Sequence, residues 1–176
     1  MLDNKYQLVN ILGNGGSAKV FLAKNESGDK CAVKIIDNSK KFAPRAAMRI
    51  VHKEHEALQY LSDHPNIIKS LGFSTNGVLT HGNKSEHVMY NVLECAENGT
   101  IADYIRNTGP IEESIASFFC YQICHAVNHM HCNQWAHLDI KLENILLDQF
   151  FNIKVADLGS IVDLSLTQGT WNKRRG

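Results

Sequence analysis

Between His137 and Asn144 the chain reads His-Leu-Asp-Ile-Lys-Leu-Glu-Asn, and Asp157-Leu158-Gly159 begins 13 residues after the asparagine. Moving a phosphoryl group in line needs a carboxylate facing the acceptor hydroxyl, a cation beside the moving phosphate, and oxygen ligands for magnesium. Asp139, Lys141, Asn144 and Asp157 are residues of the types that supply this set. Taken singly, they are what any protein uses as turn aspartates, capping asparagines and solvated lysines. Their order and spacing favour the chemical reading.

The elements that must position them begin upstream. Tyr6 to Leu12 and Lys19 to Lys24 are rich in β-formers and are joined by Gly13-Asn14-Gly15-Gly16-Ser17-Ala18, which predicts a hairpin with a glycine-rich tip. Such a tip can bring backbone N–H groups up to phosphates, because few side chains obstruct it. Lys30 to Ile36 reads as a third strand carrying Ala32-Val33-Lys34. Pro44 to Ser62 has the period of an amphipathic helix, with Ala47, Ile50, Val51, Leu58 and Leu61 in one stripe. At 100° per residue Glu54 lies within about 60° of every member of that stripe, whereas Glu56 points roughly 160° away. Glu54 therefore faces the interior, where a carboxylate is costly unless a cation meets it, and Lys34 is the natural cation.

These stretches together resemble the eukaryotic protein kinases of the serine/threonine type. Their catalytic loop reads His-Arg-Asp-Leu-x-x-x-x-Asn, their metal motif Asp-Phe-Gly, their phosphate loop G-x-G-x-x-G-x-V and their strand lysine V-A-I-K. Ala18 stands at the third glycine, a mild change, and Lys141 matches the lysine found two residues after the catalytic aspartate in serine/threonine kinases. The resemblance implies an α+β, protein kinase-like two-lobed fold. Residues 6–96 would form an N-lobe of antiparallel sheet plus one helix, with the hinge, and residues 97–176 a partial helical C-lobe, so that 1–176 is one incomplete kinase domain.

The resemblance also implies ATP and Mg2+ as cofactors and a protein hydroxyl as acceptor. Leu12, Gly13, Asn14, Gly15, Gly16, Ser17, Ala18, Val20, Ala32 and Lys34 would surround the nucleotide, with main-chain groups at Glu94 and Ala96 meeting adenine and Leu93 limiting the depth of its pocket. Lys34 would hold the α and β phosphates and pair with Glu54. Asp139 would orient the hydroxyl and accept its proton, Lys141 would steady the moving phosphate, and Asn144 and Asp157 would hold magnesium. Thr170, after Gly169, matches the threonine that lines the acceptor site.

Three departures stand out. Leu138 replaces an arginine that in many kinases meets a phosphorylated activation loop, Leu158 replaces phenylalanine, and Trp171 to Gly176 does not continue toward an Ala-Pro-Glu motif. The missing helices would leave the chain a poor, marginally stable catalyst and invite a regulatory partner to cover the incomplete lobe. Two alternatives follow: a catalytically impaired kinase-derived module that binds nucleotide or a partner, and a small-molecule kinase, which Lys141 and the His64-Pro65-Asn66 turn disfavour.

Elsewhere, Ile67 to Phe73 and His87 to Glu94 read as strands, with the polar stretch Ser74 to Glu86 as a mobile connection between them. Ile101 to Asn107 and Glu112 to Asn133 read as helices, the second with an apolar stripe of Ile115, Phe119, Ile123, Ala126 and Met130. Ile145 to Leu147 and Asn152 to Ala156 read as a small hairpin, expected to set Asn144 and Asp157 at opposite ends of one short ribbon and close enough to share magnesium.

The 18 basic and 18 acidic side chains cancel, so composition offers no argument for nucleic acid or an anionic membrane, and Lys173-Arg174-Arg175 reads as a solvated end. No apolar run approaches the ~20 residues of a membrane span, and the start lacks the pattern of a signal peptide. With five cysteines in no framework spacing, the expected location is cytoplasmic, the nucleus being the other candidate. Cys120, Cys124, His125, His129, His131 and Cys132 crowd one helix, but their pairs point in different directions, and packed or surface residues explain them better than a metal.

Overall fold

The computed structural model describes residues 1–15, 18–36, 44–61 and 63–166, with 44–47 described by their backbone alone. Gly16, Ser17, Ser62, Thr170, residues 171–176 and the side chain of Ala47 therefore lie outside the described residues. The chain divides into two compact units, one comprising Met1–Glu56 with Lys69–Cys95, the other Ala57–Ile68 with Ala96–Gly176.

In the first unit β1 (Gln7–Asn14), β2 (Ala18–Lys24), β3 (Lys30–Ile36), β4 (Ser70–His81) and β5 (Lys84–Glu94) form an antiparallel sheet in the order β1-β2-β3-β5-β4, and α1 (Pro44–Leu61) follows β3. Alternation along the strands builds two faces. Cys31, Val33 and Ile35 of β3 join Val88, Tyr90 and Val92 of β5 in one apolar cluster, together with Leu2, Ala23 and Leu79. On the opposite face Ile36 and Met89 pack with Ala18 and with Val51 of α1. That second face also carries Lys34 and Asn91, neighbours in the β3–β5 register.

The expected mobile connection at Ser74 to Glu86 is instead ordered strand. β4 and β5 pair from Ser70↔Leu93 to His81↔Lys84, leaving a two-residue loop at Gly82-Asn83, where Gly82 takes φ 56°. The polar composition reflects exposure of this ribbon, while a register shift between Ser74 and Gly77 absorbs the irregularity. Gly77 is required there, since a Cβ would run into the Tyr90 ring. Residues ahead of β1 add to the same edge. Leu2 is fully buried and bridges to Leu79, and Asp3 accepts from the Val78 N–H at 2.6 Å and from the Tyr90 hydroxyl at 2.6 Å.

The second unit carries α2 (Ile101–Thr108), α3 (Glu113–Cys132) and two short two-stranded ribbons, in which β6 (Trp135–Ala136) pairs with β9 (Val162–Asp163) and β7 (Ile145–Leu147) with β8 (Ile153–Val155). Thr100 caps α2 by accepting from the Asp103 N–H. The stripe of α3 differs from the expected one. Phe119, Ala126 and Met130 are buried, but Ile115 is exposed and Ile123 half-buried, and Gln122 takes the inner position between them. Gln122 Oε1 accepts from Asn66 Nδ2 at 2.7 Å and from the Ile153 N–H at 3.0 Å, so a buried amide ties α3 to β8. Among the described residues no helix is long and apolar enough to cross a membrane.

Candidate active site

Within the second unit the loop after β6 is organised by His137. Its Nδ1 accepts the Asp139 N–H at 3.2 Å, which leaves Nε2 to carry the proton donated to the Ala156 carbonyl at 3.0 Å. His137 is buried, so this tautomer joins the loop to the end of β8. Leu138 is 69% exposed with φ 63°, a left-handed turn that an L-leucine adopts only at some cost. The turn delivers Asp139 to the surface.

Asp139, Lys141 and Asn144 form one hydrogen-bonded cluster. Lys141 Nζ donates to Asp139 Oδ2 at 2.8 Å, and Asn144 Nδ2 donates to the Asp139 carbonyl at 2.8 Å and to Oδ2 at 2.9 Å. The Lys141 hydrogen bond, with that of Asn144 behind it, holds the Asp139 carboxyl below its ordinary value, and the same bond holds the Lys141 ammonium above its own. Asp139 is thus a half-buried carboxylate with Oδ2 committed to its neighbours.

The ribbon corrects one expectation. Ile145 faces Val155 in the β7–β8 register, and the Ala156 N–H donates to the Asn144 carbonyl at 2.8 Å. Asn144 and Asp157 therefore lie side by side at the open end of one hairpin, not at its opposite ends, because the chain reverses at Asp148 to Phe151. Asp157 takes φ 58° and is followed by a 3-10 turn, Leu158–Ser160, whose Leu158 is fully buried. The donor set suits a hard divalent cation. With Nδ2 of Asn144 bound to Asp139, its Oδ1 is the atom left to ligate, and Asp157 adds a carboxylate.

Within the first unit the glycine-rich hairpin closes through the Gly15 N–H to the Ala18 carbonyl at 2.9 Å. Its strands run further than expected, to Asn14 and from Ala18, so the tip is shorter than the Gly13 to Ala18 loop expected from the sequence. Gly13 pairs with Val20, Leu12 is exposed, and Ala18 and Ala32 are buried. Lys34 Nζ donates to Glu54 Oε1 at 2.8 Å and to Oε2 at 3.1 Å, with Glu54 only 1% exposed. The helix stripe thus presents its carboxylate where the strand presents its lysine. Glu94 is held by Lys69, whose N–H donates to Oε1 at 2.8 Å and whose carbonyl accepts the Glu94 N–H at 2.9 Å. Ala96 belongs to the second unit.

Sequence reasoning missed Asn91, which donates to Glu54 Oε2 at 3.0 Å. Its signal was a lone amide inside the apolar run Val88 to Leu93. It also missed that His64 joins His125 and His129: His64 Nε2 lies 3.3 Å from His125 Nδ1, and its ring centroid 4.9 Å from that of His129. Among the described residues no group of three or more His, Cys, Asp or Glu is arranged to hold a metal, and Cys120, Cys124 and Cys132 are exposed thiols.

The protein kinase domain model matches residues 6–173, and the chain belongs to that family. Its curated relatives include the serine/threonine-protein kinase PrkC of Bacillus subtilis (strain 168), 33% identical over 171 residues that cover 94% of this chain and 24% of the relative. The CBL-interacting serine/threonine-protein kinase 7 of Arabidopsis thaliana is 36% identical over 160 residues, 90% of this chain and 35% of the relative. The serine/threonine-protein kinase ksg1 of Schizosaccharomyces pombe is 33% identical over 161 residues, 91% and 26%. The chain thus spans about a quarter to a third of the length of these relatives.

Proposed function

We propose that the chain carries the catalytic machinery of a serine/threonine protein kinase acting in the cytoplasm, with ATP as donor and Mg2+ as the divalent ion. The observation that carries this reading is the Asp139–Lys141–Asn144 cluster beside Asp157. Asn144 Oδ1 and the Asp157 carboxylate would hold the magnesium ion, which supplies charge neutralisation at the phosphates. Lys34, kept in place by Glu54, would meet the phosphate oxygens of the nucleotide, and backbone N–H groups of the glycine-rich hairpin would do the same.

Asp139 would accept a hydrogen bond from the substrate hydroxyl. Because its neighbours keep it more acidic than an ordinary aspartate, it is a weak base, suited to orienting the hydroxyl and to taking its proton late in the transfer. Lys141, bonded to the same carboxylate, would sit beside the transferred group and offset its charge.

The test is incubation of the chain with γ-labelled ATP, Mg2+ and casein. Label on serine or threonine, lost when EDTA is added, supports the proposal. Nucleotide binding without any transfer would replace it with that of a kinase-derived binding module.

A further inference from the structure

Asn91 lies within β5, in the run Val88 to Leu93 where every residue is buried. It stands opposite Lys34 on β3, and its Nδ2 donates to Glu54 Oε2 on α1 at 3.0 Å. Among the described residues its buried Oδ1 has no hydrogen-bond partner. An amide offers donors at one end and an acceptor at the other. Turned round, it would set oxygen against the Glu54 carboxylate, acceptor against acceptor. The charge of Glu54 therefore dictates the orientation, and the amide oxygen goes unsatisfied.

Packing does not explain an asparagine here. A leucine or methionine would suit the apolar run and leave no orphaned oxygen. What the amide adds is a second donor to Glu54 from a different direction. Lys34 reaches the carboxylate through a long, rotatable chain, whereas Asn91 has a short side chain on a central strand and fixes Oε2 directly.

We infer that Asn91 is a positioning residue, which locks the Glu54 carboxylate so that Lys34 is held at one place on the sheet. Its catalytic consequence rests on the reading of Lys34 as the phosphate-binding lysine. The hydrogen bonds themselves do not depend on that reading.

The test uses Asn91→Leu in the full chain, with Asn91→Met as the alternative should leucine overfill the site. A melting curve first establishes folding, and the midpoint is expected to change little, because loss of the hydrogen bond to Glu54 offsets removal of the unpaired buried oxygen. Labelling of Lys34 with N-acetoxysuccinimide, followed by mass spectrometry, is expected to speed up about fivefold, since one hydrogen bond no longer restrains its partner. In the transfer assay kcat should fall about tenfold with the KM for casein unchanged. A purely structural asparagine would move the melting point and leave labelling and kcat alone. Labelling at the wild-type rate in a folded variant overturns the inference whether or not transfer is seen. Faster labelling in a chain whose wild type transfers no phosphate upholds the positioning role and overturns only the catalytic reading of Lys34.

Discussion

Replacing Lys34 by methionine strands the Glu54 carboxylate at 1% exposure with Asn91 as its remaining hydrogen-bond donor among those described. Breaking a buried ion pair by removing one partner costs about 3–5 kcal/mol, because the surviving charge has neither solvent nor counter-ion. Domain stability totals only ~5–15 kcal/mol, so the variant should melt far below the wild type. Glu54→Leu should cost less than Lys34→Met, since the lysine that survives can turn its ammonium toward water along its apolar stem. In the double variant Lys34→Met/Glu54→Leu both charges are gone and apolar volume fills the space. What then remains is the stranded amide of Asn91, worth about 1–3 kcal/mol, and adding Asn91→Leu should recover most of that. The assay is urea unfolding followed by circular dichroism at pH 7, with midpoints compared at constant slope. Losses below about 1 kcal/mol in both single variants, or a double variant that simply adds the two single losses, would refute the account of the pair as a mutually dependent buried unit.

Two further outcomes concern other parts of the chain. Burial, followed by the Asp3 hydrogen bond, raises the Tyr90 hydroxyl well above its ordinary value of 10.0, so its contribution is complete below pH 10 and is lost as pH rises beyond it, where the unfolded tyrosine ionises first. Asp3→Ala should cost about 1.5–3 kcal/mol at neutral pH, and Tyr90→Phe should flatten the alkaline loss; urea midpoints at pH 7, 10 and 11 check both. Burial, then the neighbouring His129, His125 and Lys154, holds His64 below its ordinary 6.5, so its contribution is present above pH 6.5 and is lost as pH falls below it. Protonation would also cost Nδ1 its bond from the Asn66 N–H, and His64→Asn should shrink the drop in urea midpoint between pH 7.5 and 5.5.

The residues legible in the sequence were those whose partners follow from a fixed period. Helical angles turned Glu54 inward, the cost of burying its carboxylate called for Lys34, and the two lie 2.8 Å apart. Spacing placed Asp139, Lys141 and Asn144 in one loop, where hydrogen bonds join them. Less legible was anything that depends on pairing between distant segments. Ser74 to Glu86 looks like loop because most of its side chains are polar, although Leu79 joins the core, and only the ladder with β5 makes it a strand. Asn91 looks like a defect in an apolar strand until Glu54 is brought over it. Ile115 fits the α3 period but ends up exposed, while Gln122, which the period discounts, is buried against Asn66. The side-by-side placement of Asn144 and Asp157 follows from the antiparallel register of β7 and β8, and the segment lengths by themselves were misread.

On the proposed reading, the loop from His137 to Asn144 performs phosphoryl transfer with Asp139 facing the acceptor. Asp139→Asn keeps the shape of the side chain and removes its charge, which isolates that role. Steady-state transfer to casein should show kcat lower by about 10²–10⁴-fold, with the KM for ATP nearly unchanged and the melting curve intact. Turnover at the wild-type rate in a folded Asp139→Asn protein would contradict the account.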